Sequence, residues 1–173
     1  MSHVRQVEQI LLPLIKMAGH TTPNIVFLVG GKGPLRSDFE RFVSNYGGTN
    51  ILYVGYIPYK ELADYVAACD FTLCSLDNSS VHGRYMLSRK ISESLSVGVP
   101  MIATKTPAVQ GFFGCFKSLR MVDNTPEAFM EAMAEISRNL EAYKSAAKLE
   151  ASSVMLSLQE SSRRIVNLLM SCF

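Results

Sequence analysis

The sequence predicts an α/β fold, a parallel sheet with helices on both faces, and three observations predict it. Short apolar runs alternate with segments of helical period along the whole chain, the pattern that βαβ units leave in a sequence. The runs near Ile25, Ile51, Phe71 and Met101 are continuous rather than alternating, as strands covered on both faces are. These four strands are therefore expected to be central and mutually adjacent. Finally, the glycines, prolines and polar residues gather where such strands would end, at Gly30 to Gly33, Gly55 to Tyr59, Ser75 to Leu87 and Thr104 to Pro107. In open parallel sheets that carboxyl edge is where ligands bind.

Val4, Val7, Ile10, Leu11, Leu14 and Ile15 recur at helical spacing, so the chain opens on an amphipathic helix interrupted or bent at Pro13. A helix in such a fold ordinarily follows a strand, so the sequence is expected to lack the strand that precedes this helix. Asn24 to Gly30 reads as a buried strand closed by Gly30-Gly31-Lys32-Gly33, with Pro34 at the first position of a helix from Leu35 to Tyr46. Gly47-Gly48 ends that helix. Ile51 to Val54 is the second strand, a helix runs from about Lys60 to Ala68, and Asp70 to Ser75 is the third strand. Leu76 to Leu87 reads as a polar loop of a length that often carries function. Ser88 caps a short helix that stops on Gly98, and Pro100 prevents its continuing. Val99 to Ala103 is the fourth strand, Lys105 to Lys117 a loop or short helix, and Leu119 to Val122 an edge strand. Thr125 caps a long helix with Pro126 in its first turn, and a last helix runs from about Ala146 to Met170.

The chain has 173 residues, 48% hydrophobic and 18% charged, enough for one core and a single domain. A net charge of +2, with no run of Lys or Arg, provides no field for nucleic-acid binding. The apolar runs are strand-sized, short of a membrane span, and Met1 to Lys16 lacks a signal-peptide pattern because Arg5, Gln6, Glu8 and Gln9 interrupt it. Cys69, Cys74, Cys115 and Cys172 show no CxxC spacing and read as reduced thiols, which fits a cytoplasmic setting. No carboxylate cage suggests a metal.

The stretch from Ser88 to Thr104 organises the chain. Ile91 and Leu95 face the sheet, while Lys90 and Glu93 lie three apart in the first turns, beside amides that favour anions. Two readings stand. One is a solvated Lys–Glu surface pair. The other is a site for a phosphorylated, hydroxyl-rich ligand, with Lys90 or the backbone amides on phosphate and Glu93 on sugar hydroxyls. The convergence of the unusual residues on one sheet edge favours the second. Gly30-Gly31-Lys32-Gly33 adds a plausible phosphate contact but matches neither GxGxxG nor a Walker loop.

Leu28-Val29-Gly30-Gly31-Lys32-Gly33-Pro34-Leu35, Val54-Gly55-Tyr56-Ile57-Pro58, Tyr65-Val66-Ala67-Ala68-Cys69-Asp70 and Lys90-Ile91-Ser92-Glu93 through Gly98-Val99-Pro100 occur in an order and spacing with a precedent. Over roughly residues 5–140 the chain resembles the Rossmann-like carboxy-terminal lobe of GT-B glycosyltransferases, in particular the retaining enzymes of family 4 (group 1). The resemblance implies a single donor-binding domain over 1–173, with 144–173 a helix packing across it. It implies a nucleotide-diphospho-sugar as substrate and no cofactor. By position, Glu93 would accept the ribose hydroxyls and Tyr56, Ile57 and Pro58 would line the base pocket. The amides of Met86, Leu87 and Ser88 would hold the diphosphate with Lys90 as charge partner, and Gly31 and Gly33 would allow close approach.

Two departures bear on activity. Many relatives carry a glutamate eight positions before the residue matching Glu93, and Tyr85 stands there. The amino-terminal lobe and the Arg and Lys that neutralise the diphosphate are also outside the sequence. The implied function is therefore hexose transfer to a glycan or lipid-linked acceptor, as in polysaccharide biosynthesis, together with an amino-terminal lobe or partner chain through which a peripheral membrane contact is open. The isolated chain is expected to be inactive, and His82, Tyr85 and Lys90 are the candidates for a catalytic group. The alternative is a non-catalytic nucleotide-sugar-binding or structural subunit of a two-chain glycosyltransferase.

Overall fold

The computed structural model describes residues 6–21 and 24–154. It opens with a π-helical turn, Val7–Leu11, that runs into α1, Leu12–Thr21. Pro13 has no amide to give the carbonyl one turn back, and its ring crowds that carbonyl. The wider turn ahead of it, closed by the Leu12 amide on the Val7 carbonyl, relieves the crowding. Then follow β1 (Phe27–Gly30), α2 (Arg36–Tyr46), β2 (Ile51–Gly55), α3 (Leu62–Ala67) and β3 (Thr72–Cys74). After these come α4 (Val81–Tyr85), α5 (Arg89–Val97), β4 (Met101–Thr104), α6 (Pro107–Phe113), β5 (Leu119–Val122) and α7 (Pro126–Arg138). A last helix, α8, spans 140–154.

Every strand pairing is parallel, as the sequence predicts. The expected adjacency of four strands fails, however, because the described strands form two ladders, β1–β2 and β3–β4–β5. Only β4 is buried at all four positions. Val26 and Leu52 are 61% and 55% exposed, so the first two apolar runs are covered on one face, a difference that continuous hydrophobicity does not reveal.

Successive side chains of β4 point to opposite faces and thereby join two cores. Ile102 enters the one formed by α1, α2 and α7, with Leu14, Phe27, Phe39, Phe129 and Met133. Met101 and Ala103 enter the other, with Ile91, Leu95, Val109 and Val154. Full burial of a side chain such as Phe129 or Leu14 contributes about 1.5–3 kcal/mol.

Capping explains several helix boundaries. Thr125 accepts from the Ala128 amide at 3.2 Å and Thr106 from the Val109 amide at 3.1 Å, each followed by a proline. Pro34 does not open α2 as expected. It lies in the turn that the Arg36 amide closes on the Gly33 carbonyl, and the helix starts at Arg36. At the end of α5, Gly98 has φ 81°, its amide bonds the Leu95 carbonyl at 3.0 Å, and the Val99 amide bonds the Ser94 carbonyl at 3.1 Å. These paired bonds satisfy the last carbonyls and require a left-handed residue. The final helix begins at 140, ahead of the expected Ala146. Its Glu150 accepts from the Lys117 amide at 2.8 Å and from the amide and hydroxyl of buried Ser118 at 3.1 and 2.6 Å, which fixes it to the start of β5. Residues 155–173, including Cys172 and the rest of the expected helix, lie outside the described residues. No helix among the described residues is long and apolar enough to cross a membrane.

Gly98→Ala is expected to lose about 1–2 kcal/mol, the cost of a left-handed residue with a Cβ, because the added methyl group otherwise makes only ordinary contact with Lys148. Urea unfolding of the two proteins measures it, and an unchanged midpoint would count against the assignment.

A second expectation concerns acid. Tyr143 donates to Glu135 Oε1 at 2.7 Å and Arg120 Nε to Oε2 at 2.9 Å. The tyrosine bond foremost, then the arginine, holds the Glu135 carboxyl below its ordinary value, while burial and then that same bond push Tyr143 up to about 12. A lowered folded pKa stabilises fully above the ordinary carboxylate range, and the gain is lost as pH falls through the folded value. Tyr143→Phe should therefore flatten the fall of unfolding free energy between about pH 6 and 3. Parallel curves for mutant and wild type would contradict the role given to this bond.

Candidate functional site

The carboxyl ends of the strands carry the unusual residues. At the first pair, the ladder slips between Val29 and Gly30, and the Gly31 amide donates to the Gly55 carbonyl at 2.7 Å. Gly31 and Gly55 have φ 148° and 70°, so both turns depend on glycine. Ile57 lies across Gly30 so closely that a Cβ there would come within 2.4 Å of Ile57 Cδ1. Lys32 places its ammonium 4.3 Å from the centre of the Tyr56 ring, a cation–π contact worth about 0.5–1 kcal/mol at an exposed site. Gly31, Lys32 and the Tyr56-Ile57-Pro58 turn are thus one assembly. Gly33 has open space around it and no special backbone conformation, so nothing in its geometry requires glycine.

Leu76 to Leu87 is not a loop throughout, as α4 occupies Val81–Tyr85. Asp77 organises the approach: its Oδ1 accepts from the Ser79 amide at 3.0 Å and the Ser79 hydroxyl at 2.5 Å, and its Oδ2 from the Ser80 hydroxyl at 3.2 Å. Ser80 in turn accepts from the Gly83 amide at 3.1 Å and caps α4. A Cβ on Gly83 would lie 1.6 Å from the Asp77 carbonyl oxygen, so only glycine fits. His82 and Tyr85 are exposed on α4. Tyr85, 64% exposed, borders a shallow groove of about 330 Å³ with Pro107, Ala108, Gly111 and Phe112 of α6.

Three expectations about the start of α5 are corrected. Ser88 is the N-cap residue but its side chain caps nothing. It bonds the thiol of buried Cys74 instead, which offsets part of the upward push that burial gives that thiol. Met86 has no free amide, because it donates to the His82 carbonyl at 2.9 Å as the last bond of α4. The partner of Glu93 is Arg89, one turn earlier, with Nε 3.9 Å from Oε1, while Lys90 projects into solvent. At that length and exposure the ion pair is weak, and the carboxylate keeps its capacity to accept. The amides of Arg89 and Lys90 have no carbonyl one turn back.

Other members of α5 are structural. Ser94, 1% exposed, donates to the Val99 carbonyl at 3.1 Å, which leaves Thr72 as the donor in the 2.6 Å contact between their hydroxyls. Sequence reading also missed Thr104. Its buried hydroxyl accepts from the Leu76 amide at 2.9 Å and donates to Asn124 Oδ1 at 2.9 Å, and Asn124 Nδ2 donates to Gln6 at 3.0 Å. Three strand ends and the entry to the first helix meet there. Lys32 and Arg89 were missed too, although the four-residue spacing of Arg89 and Glu93 is a signal for the latter.

Two groups of candidates thus follow carboxyl ends of strands: Gly31, Lys32 and Tyr56 to Pro58 on the first ladder, and Leu87 to Lys90 with Glu93 after β3 of the second. Helix α3, which follows the Tyr56–Pro58 turn, packs against α5, the helix that carries the second group. No hydrogen bond or ion pair joins the groups among the described residues. No cluster of three His, Cys, Asp or Glu among those residues could hold a metal ion.

A parallel α/β lobe with glycine turns at the first two strand ends and an open helix start after the third is a carboxy-terminal-type lobe of the GT-B fold. The profile of the glycosyl transferases group 1 matches residues 4–139, and the chain belongs to that family. Curated protein sequences give no match. Among solved structures, the catalytic domain of the cholesterol-α-glucosyltransferase of Helicobacter pylori is similar at TM-score 0.64 and 19% identity, over 87% of this chain and 91% of that one. Anabaena Alr3699/HepE, solved with UDP and glucose, gives 0.65 and 14%, over 89% of this chain and 44% of that one. The GtfA/B complex gives 0.61 and 18%, over 94% and 34%. These likenesses are of fold, and the chain spans less than half the length of the last two.

Serine substitutions test the geometry of the helix starts. Ser80→Ala and Thr106→Ala, which remove caps, should each cost about 1 kcal/mol, whereas Ser88→Ala should cost less than about half of that. Equal losses in urea unfolding would mean that Ser88 caps α5 in solution.

Proposed function

We propose that the carboxyl edge binds a nucleotide-diphospho-sugar and presents it for transfer of a hexose, with retention, to a glycan or lipid-linked acceptor held by an amino-terminal lobe or partner chain. The observation that carries this reading is the start of α5. The Ser88 side chain caps none of the first-turn amides, so the helix start stays open at the carboxyl edge, with Arg89 and Lys90 in its first turn. Such a start holds phosphate oxygens and stabilises a leaving diphosphate. In this reading Leu87 and Ser88 contribute amides, Lys90 charge, and Glu93 two acceptor oxygens for a ribose diol. Tyr56, Ile57 and Pro58 lie against the base, and Gly31 and Gly33 admit the ligand close to the backbone. A cytoplasmic setting and a role in polysaccharide biosynthesis belong to the same proposal. The UDP and glucose held by the Anabaena neighbour agree with this ligand class.

A second reading is a non-catalytic donor-binding or structural subunit. What favours it is Tyr85, exposed on α4 where the family resemblance leads one to look for a sugar-binding carboxylate.

Titration calorimetry with uridine, guanosine and adenosine diphosphates tests binding. Glu93→Gln exchanges one acceptor oxygen for a donor and loses one charge-assisted bond, so affinity for the preferred nucleotide should fall about tenfold or more. Thermal unfolding should move little, because the Arg89 pair that is lost is long and its arginine is exposed. Unchanged affinity with a large drop in melting temperature would make Glu93 a structural residue and remove the donor-site assignment.

A further inference from the structure

We infer that the groove between α4 and α6 is a membrane-contact surface, and that its partner is the anionic leaflet of a lipid bilayer. α6, Pro107–Phe113, is apolar almost all round, with Gln110 its one polar side chain. A helix of that kind is ordinarily covered on every side. One face is covered, because Val109 and Phe113 are buried in the second core. The other is not, and Phe112 is 58% exposed. α4 packs beside α6 and repeats the arrangement. Its Gly83 is buried, while Val81 and Tyr85, one turn apart, are 75% and 64% exposed. Ala108 and Phe112 are one turn apart as well, so the two short helices present apolar pairs at the same spacing. Tyr85, Pro107, Ala108, Gly111 and Phe112 line the groove between them. A contiguous apolar surface of this kind marks contact with another molecule or a membrane.

Charge decides which. Neither helix contains an Asp or Glu. From Val81 to Phe113 the chain has four basic residues, Arg84, Arg89, Lys90 and Lys105, against one carboxylate, Glu93, so this stretch alone exceeds the net +2 of the whole protein. Arg89 engages Glu93, and Asp77, which leads into α4, already holds the Ser79 and Ser80 hydroxyls. Arg84 on α4 and Lys105, two residues ahead of α6, are exposed, and neither side chain forms an ion pair among the described residues.

The occupant must therefore offer apolar matter to Tyr85 and Phe112 and negative charge to Arg84 and Lys105. An anionic leaflet offers both in one plane. Aromatic side chains seat at the level of the headgroups, and cations are drawn to the negative surface, the combination by which amphipathic elements lie on membranes. A protein surface is the poorer match, because lysine is depleted where proteins meet. Only Met86 to Ser88 separate α4 from α5, so a leaflet held here lies beside the carboxyl edge, where a lipid-linked acceptor would be presented. The inference stands apart from the donor-site reading, since no nucleotide enters it or its test.

Cosedimentation with vesicles tests this. The chain should bind vesicles of phosphatidylcholine carrying about 30% phosphatidylglycerol and not vesicles of phosphatidylcholine alone, and added salt should release it. Arg84→Gln with Lys105→Gln should weaken binding about 25-fold, from about fivefold per charge. Val81→Ser with Phe112→Ser should weaken it about tenfold or more. Val26→Ser with Leu52→Ser, exposed to a similar degree on the first ladder, should leave it unchanged. The charge variant alters only exposed side chains, so it keeps the test decisive if a serine variant fails to fold. The chain has no tryptophan, and Phe112→Trp therefore supplies a single reporter. Its emission should move to shorter wavelength on the anionic vesicles, while that of Leu149→Trp, at an exposed position of α8, should not. Three outcomes of cosedimentation overturn the inference: no binding to the anionic vesicles, equal binding to both kinds, or loss with the Val26 and Leu52 pair but not with the Val81 and Phe112 pair. So does a shift of the Phe112→Trp emission that grows with protein concentration in the absence of vesicles and accompanies a dimer in sedimentation, which would make a second copy the occupant.

Discussion

The Thr104 hydroxyl is the constraint on which the carboxyl edge depends. It lies at the end of the most buried strand with no access to water, and its one proton and one lone pair are both engaged, by Asn124 and by the Leu76 amide. A buried hydroxyl left without these bonds would cost about 1–3 kcal/mol, so the two loops have one relative placement in which the network is satisfied. Leu76 begins the segment that leads through Asp77 and α4 to α5. Asn124 leads into α7 and reaches Gln6 at the entry to the first helix. A single side chain thus couples the face that packs α1 and α7 to the edge that carries Lys90 and Glu93.

The helix starts divide into closed and open. Thr106, Thr125 and Ser80 turn their oxygens onto amides in the first turn and close them. Ser88, of the same chemical type, caps no amide and instead acts on the buried Cys74 thiol, and α5 stays open. The difference depends on packing rather than on residue type. It leaves an unfilled amide cluster at the one helix, among the described residues, whose first turn also holds two cations, Arg89 and Lys90.

This division shows what a sequence discloses and what it does not. Thr125-Pro126 and Gly98-Val99-Pro100 are legible because their geometry is local: a cap followed by proline, or a left-handed glycine followed by a residue that ends the helix. The parallel class was legible from the alternation of runs. Adjacency was not, because Val26 and Leu52 belong to runs as apolar as that of β4 and differ only in what covers them. Ser88 was misread for a similar reason, since its alternative partner is 14 positions away in sequence. Lys90 was paired with Glu93 at a spacing of three, whereas the spacing of four favoured Arg89. Met86 could be read correctly only once α4 had been recognised, since its amide closes that helix.

Gly83 has a consequence for how this edge can change. With the Asp77 carbonyl 1.6 Å from where a Cβ would stand, position 83 admits no side chain, and the turn from Asp77 to α4 keeps one shape whatever surrounds it. Its neighbours Val81, His82, Arg84 and Tyr85 all project into solvent from that fixed turn. Substitutions at these four sites can alter charge, size and polarity without moving the backbone that presents them. Diversification of the surface is thereby uncoupled from stability, and a library confined to those positions would vary what the edge recognises while the scaffold beneath it holds still.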